Sequence, residues 1–286
     1  MIYFLKPEWY IFAYVLWWIN VALSLLAGWG ITFVVFGINR FKEKEVNATI
    51  LLPAVTMTVV ASTGSLISES FMDHPSWQLS SDIVTFLLWA NAVALSVFLI
   101  GSYFQKLLIH GLPPKSAIYT CFIPIGILGQ GGWAIQLNYR DLGQLIVSLG
   151  GFKLVNMDIE LSPESLQLIN AMLNFTALSV ALFLASFGVC LTVVSIMSVI
   201  YHGRPPLWTR NMWASTFPLG TMALSFNQMY ITTGLKGFLV IGTIYSVMLV
   251  LMTTYCMIGT ALFEIPHKQI WKALKGLEST TNSYDV

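Results

Sequence analysis

Seven apolar stretches, each about as long as a lipid bilayer is thick, constrain the fold of this chain more than any other feature. They lie at about 10–38, 48–68, 83–105, 116–136, 166–200, 211–232 and 238–262. A helix of about 20 apolar residues crosses the hydrocarbon core and satisfies its own backbone hydrogen bonds there. Only 9% of the residues are charged, against about 25% in soluble domains. The sequence therefore predicts an all-α, polytopic membrane protein with a single membrane domain, 1–286, whose residues 263–286 form a cytoplasmic tail.

Lysine and arginine residues predict the orientation of the spans, because short cytoplasmic loops collect positive charge. One side of the membrane receives Arg40, Lys42, Lys44, Lys106, Lys115, Arg204, Arg210, Lys268, Lys272 and Lys275, and the other side receives Lys6, Arg140, Lys153 and Lys236. We therefore expect the C-terminus in the cytoplasm, the N-terminus outside, and acidic residues such as Asp82 and Asp141 on the external side. The Asn47-Ala48-Thr49 sequon then faces the cytoplasm and stays unglycosylated.

Prolines inside the spans reveal a repeat. They are Pro53, Pro124 and Pro218, one each in the second, fourth and sixth spans. Because proline breaks a helical hydrogen bond, lipid tolerates it only where protein or cavity water satisfies the freed carbonyl group, so these helices should face inward. Two of them follow similar sequences: HGLPPKSAIYTCFIPIG and HGRPPLWTRNMWASTFPLG. The sequence predicts helical hairpins, broken helix first, repeated three times around a central pore. The first span has no partner, and we expect the chain to be a fragment.

The interiors of the predicted spans contain neutral polar residues and no charged residue, which argues against a proton relay through side chains. A neutral pore still attracts an anion where broken helices present N-termini with unpaired N–H groups. Pro124 followed by Gly126 and three further glycines fits this device, as does Pro218 followed by Gly220. In the alternative interpretation, these glycines only allow close helix packing. The threefold recurrence of the break favours pore lining.

No sequence pattern points to catalysis. The GxSxG, Walker A and HExxH patterns are absent, and the four histidines lack the spacing of metal ligands. The three cysteines lie inside apolar stretches and indicate neither a disulfide framework nor a metal site. The basic residues are scattered, which argues against nucleic acid as a partner. We expect a protein that is not an enzyme and uses no catalytic residue, metal or cofactor.

Three segments resemble the fungal sulfite efflux pumps: LLPAVTMTVVASTGSLI, GLPPKSAIYTCFIPIGILGQGGWAI and WASTFPLGTMAL. Those pumps belong to the tellurite-resistance and dicarboxylate transporter family, which also contains the plant guard-cell slow anion channels. The resemblance covers the chain from about Trp9 to Leu262 and implies ten helices, in five hairpins around a pore lined by kinked odd-numbered helices. The seven spans then correspond to helices four to ten, with the first three helices absent. Family channels are often homotrimers, which makes a homotrimer an expectation here.

The resemblance also assigns residues. Family members close the pore with phenylalanine from a kinked helix, and the matching position is Phe217, beside Pro218. Phe122 is a second gate candidate, although its offset to Pro124 differs by one residue. The second span offers Leu51 and Leu52 in place of a phenylalanine.

The leading hypothesis is a plasma-membrane transporter or channel that exports sulfite or bisulfite through a neutral, Phe-gated pore. The alternatives are a dicarboxylate (malate) transporter of the same family, an inactive truncated fragment, and a seven-helix receptor. The receptor alternative is the weakest, because the sequence lacks an Asp-Arg-Tyr after the third span and an Asn-Pro-x-x-Tyr in the seventh.

Overall fold

The computed structural model of the chain describes residues 9–38, 46–71, 74–151, 161–203 and 208–264. Within these residues the fold is all-α, as predicted. The α-helices are α1 (Tyr10–Leu25), α2 (Leu52–Ser68), α3 (Pro75–His110), α4 (Ile123–Ser148), α5 (Pro163–Tyr201), α6 (Thr216–Thr233) and α7 (Lys236–Phe263). Two π-helical segments, Leu26–Ile31 and Val34–Ile38, extend α1 through the rest of the first apolar stretch.

Six helices of the described chain are long and apolar enough to cross a membrane, and they account for six of the seven predicted spans. The remaining span contains α6, an 18-residue helix. Among the basic residues that orient the spans, several lie outside the described residues, as does the predicted tail beyond Glu264. These basic residues are Lys6, Arg40, Lys42, Lys44, Lys153, Arg204, Lys268, Lys272 and Lys275.

The helices that contain the three prolines, α2, α4 and α6, form the inside of the bundle, and we call them the inner helices. Helix α4 lies between the other two and packs against both, with α3 and α5 on its remaining sides. In the most apolar part of the span that contains α4, 94% of the residues are buried. In the corresponding part of α7, which packs on α6, 11% are buried. Helix α1 packs in the same way on α2. The proline helices therefore face inward, as the cost of an unsatisfied carbonyl group in lipid requires.

Each inner helix begins as a short 3-10 helix and becomes α-helical at its proline. The 3-10 segments are Ala48–Leu51, Lys115–Phe122 and Arg210–Ser215. Pro124 has no N–H group for the carbonyl of Thr120, four residues earlier, and the N–H of Ile123 bonds this carbonyl in the tighter 3-10 pattern. The N–H of Leu52 does the same for Thr49 ahead of Pro53. The predicted helix breaks are thus changes of helix type at the start of each α-helix.

The three 3-10 segments lie at the same end of the bundle. Ala48 and Leu51 of the first segment share a buried apolar cluster with Ile123, directly after the second, and Ala214 of the third packs against this cluster. In addition, Asn211 donates a hydrogen bond to the backbone oxygen of Ser116 at 2.9 Å. The N-termini of all three inner α-helices, with their positive dipole ends, are therefore gathered at one side of the bundle.

Candidate functional site

Phe217 lies in the first turn of α6, immediately before Pro218, and its side chain is 39% exposed. On one side, the ring lies against Gly126 of α4: a Cβ atom built on Gly126 would stand only 2.9 Å from two ring carbons of Phe217. Phe217 is thus an exposed ring beside a helix break, in contact with the neighbouring inner helix α4.

Phe122, the second gate candidate, is only 5% exposed and belongs to the apolar core around α4, α5 and α6. Its ring stacks near that of Tyr119, with a centroid distance of 6.4 Å. This burial follows from the position of α4 inside the bundle, since Ile123, directly before Pro124, is buried as well. Residues directly before the proline are exposed in two of the three repeats, Leu52 at 48% and Phe217 at 39%, whereas Leu51, two positions before its proline, is fully buried.

Three glycines of α4, spaced three residues apart, form the contact face with α6. A Cβ atom on Gly129 would stand 2.6 Å from the backbone nitrogen of Met222, and one on Gly132 would stand 2.7 Å from Oγ of Ser225. Gly126 continues this face toward Phe217. Close packing therefore explains Gly129 and Gly132, because any larger residue would push the two helices apart.

The remaining break residues lie inside the bundle. Pro53, Pro124 and Pro218 are all buried in the first turns of their α-helices. Gly220 is partly exposed, and a Cβ atom there would stand 3.4 Å from Leu249, so this glycine is turned toward α7.

Neutral polar side chains connect the inner helices. Gln130 of α4 donates a hydrogen bond to Oγ of Ser62 in α2 at 2.5 Å, and Gln136 of α4 donates one to the backbone oxygen of Ser225 in α6 at 3.3 Å. Asn20 and Asn174 bond backbone oxygens within their own helices instead. On α2, one stripe of side chains is left exposed between its neighbours: Leu52, Thr56, Val59, Thr63 and Leu66.

Three charged residues are buried in the bundle just outside the predicted spans, where the helices continue beyond them. Helix α3 begins at Pro75 and includes Asp82, and α4 continues to Ser148 and includes Asp141. Both aspartates are buried, with exposures of 3% and 0%, and so is Lys106 in the last turns of α3, at 6%. These helices are longer than the predicted spans because hydropathy falls at the first charged residue, whereas a helix continues until its backbone is capped.

The two aspartates belong to a small polar cluster at the end of the bundle opposite the 3-10 segments. Asp82 accepts a hydrogen bond from Oγ of Ser68 at 2.8 Å, and Asp141 pairs with Arg140 at 3.0 Å. Arg140 also reaches Glu69 at 3.4 Å. One oxygen of each aspartate has no hydrogen-bond partner. Within the described residues, no three His, Cys, Asp or Glu side chains come together as metal ligands.

Comparison with known proteins decides the family. The family model described as voltage-dependent anion channel, SLAC1, matches residues 1–261. The chain belongs to this family. The resemblance stated from the three sequence segments is therefore confirmed.

The relatives of this SLAC1-family chain carry a common name, sulfite efflux pump SSU1. The protein from Candida albicans is 30% identical over 91% of this chain, and the one from Saccharomyces cerevisiae is 27% identical over 96%. A third, from Arthroderma benhamiae, is 28% identical over 84% of the chain. The chain spans 55% of the length of the C. albicans protein. No solved structure gives a significant match. These names favour the sulfite branch over the dicarboxylate and receptor alternatives.

Proposed function

We propose that this protein is an anion transporter or channel of the plasma membrane that exports sulfite or bisulfite from the cell. The observation that carries the proposal is that each of the three inner helices begins with a 3-10 segment, with an exposed Phe217 directly after the third segment. The names of the relatives supply the substrate class. In this proposal the C-terminus is cytoplasmic, the N-terminus of this chain is external, and three copies assemble in the membrane.

The gathered helix N-termini support an anionic substrate. Backbone dipoles give the start of a helix a partial positive charge, and the three inner helices, each of which begins with its 3-10 segment, start at one end of the bundle. The 3-10 segments lie on the side where the basic residues are concentrated, which the charge distribution places in the cytoplasm. An anion leaving the cell would thus meet the positive ends of the inner helices first. Pro53, Pro124 and Pro218 set the helix starts at this entrance and Gly126 lies beside Phe217, whereas Gly220 is turned toward α7.

The exposed stripe of α2 supports a neutral pathway. Thr56 and Thr63 each bond a backbone oxygen of their own helix, at 2.7 and 2.8 Å, so no strong donor or cation on this stripe would trap the ion. Conduction requires binding that is weak enough for release. We assign the gate to Phe217, since Phe122 is buried in the core.

The test is sulfite export by yeast cells whose own sulfite exporter has been deleted. The gene is expressed with whatever in-frame sequence precedes Met1, and both growth on sulfite and sulfite efflux are measured. We expect protection from sulfite and, with Phe217→Ala, a several-fold higher anion conductance, because removal of the ring widens and wets the passage.

Phe122→Ala is the matched control. It removes the same ring from a buried position, so it should cost about 3–5 kcal/mol of stability and give no rise in conductance per folded molecule. Conductance of malate without protection from sulfite would overturn the sulfite assignment. An unchanged conductance in Phe217→Ala would remove the gate role.

A further inference from the structure

The contact between Gly126 and Phe217 differs from the other two contacts on the glycine face of α4. Gly129 lies against the backbone of α6, which cannot turn aside, and Gly132 lies against Oγ of the buried Ser225. Gly126 lies against an aromatic ring, whose 39% exposure leaves it free on its other side. Two ring carbons would be 2.9 Å from a Cβ atom at residue 126, and Cγ of Pro218 would be 3.4 Å away.

The ring position therefore depends on the absence of a side chain at residue 126. A methyl group there needs an ordinary contact distance, so the ring would have to move outward by at least half an ångström. The neighbouring Pro218 is held in the first turn of α6 and is buried, which restricts retreat in its direction. The ring can turn only away from α4, toward its exposed side.

We propose that Gly126 is a positioning residue for the gate, which sets how far the Phe217 ring projects from the wall formed by α4. The proposal rests on the gate role proposed for Phe217. With glycine at residue 126, the ring lies back against α4 and leaves the passage as wide as a phenylalanine at residue 217 permits. A larger residue at 126 turns the ring outward and narrows the passage.

The experiment is a double-mutant cycle on anion conductance, measured per folded molecule in the full protein. Gly126→Ala is expected to lower conductance several-fold, the opposite of Phe217→Ala. The double variant is expected to conduct like Phe217→Ala alone, because the methyl group at residue 126 then has no ring to displace. This rescue separates a positioning role from general damage to the fold.

Gly101→Ala serves as the control, since Gly101 of α3 has no atom within 4 Å of a built Cβ atom, and its conductance should equal that of the unmodified protein. If Phe217→Ala raises conductance while Gly126→Ala leaves it unchanged or raises it, the positioning role of Gly126 is refuted, and the gate role of Phe217 is retained. If the double variant stays as low as Gly126→Ala, the effect does not act through the ring, and the proposal fails. If Phe217→Ala itself changes nothing, the proposed gate fails first.

Discussion

Gly129 is a residue whose side chain is excluded by backbone. A Cβ atom there would stand 2.6 Å from the nitrogen of Met222 and 2.7 Å from the carbonyl carbon of Thr221. Backbone atoms of a packed helix cannot turn aside, so relief requires α4 and α6 to separate along their contact. The residue is therefore fixed by packing, whatever passes through the protein.

Gly129→Ala is expected to destabilise the folded protein by about 1–3 kcal/mol, the usual cost of overpacking a core. Gly101→Ala, in an open position of α3, should instead be neutral or stabilising by up to about 1 kcal/mol, because alanine favours the helix. Thermal unfolding of the purified protein in detergent compares the two variants. Equal unfolding midpoints would contradict the close contact between α4 and α6.

At the scale of the elements, the sequence predicted the three inner helices because proline leaves a chemical signature that does not depend on tertiary structure. A missing N–H group at Pro53 and Pro124 changes the hydrogen-bond pattern wherever the helix lies. Helix ends were less predictable. Helices α3 and α4 continue beyond the apolar stretches and include Asp82 and Asp141, which are buried against neighbouring helices. Phe122 and Phe217 both come shortly before a proline, and packing decides that Phe122 is buried, because four helices surround α4.

Hydrogen bonds between elements offer a test of how the inner helices are joined. Gln130→Met removes the bond from α4 to Ser62 in α2 while it nearly conserves volume, and Ser62 keeps its own bond to the oxygen of Val59. We expect a loss of about 0.6 kcal/mol, the mean measured for such bonds in a membrane protein, and at most about 1.7 kcal/mol. Asn20→Leu, whose bond stays within α1, should lose less. A larger loss from Asn20→Leu would show that the bond between α2 and α4 is not a main contributor.

At the scale of the whole molecule, the two ends of the bundle differ in charge. The end with the 3-10 segments holds the positive helix termini, and the opposite end holds Glu69, Asp82 and Asp141 around Arg140. The predicted topology has the same asymmetry, with ten of the fourteen basic residues on the side of the 3-10 segments. Orientation in the membrane therefore determines which compartment faces the anion-attracting end, and the export direction depends on it.

A glycosylation test distinguishes the two orientations. Asp158→Thr turns Asn156-Met157-Asp158 into a sequon in the predicted external loop after α4. Of the two natural sequons, Asn47-Ala48-Thr49 lies on the other side of the bundle, and Asn174-Phe175-Thr176 lies within the apolar helix α5. In a eukaryotic host we expect Asp158→Thr to acquire a glycan that an endoglycosidase removes, and the unmodified chain to acquire none, because only the external side is exposed to the glycosylation machinery. Adding Asn156→Gln to the variant should abolish the modification.

A fluorescent reporter fused after Val286 should stay inside the cell, since positive charge keeps this end cytoplasmic. A glycan at Asn47 would reverse the orientation and, with it, the direction in which the helix N-termini gather the anion.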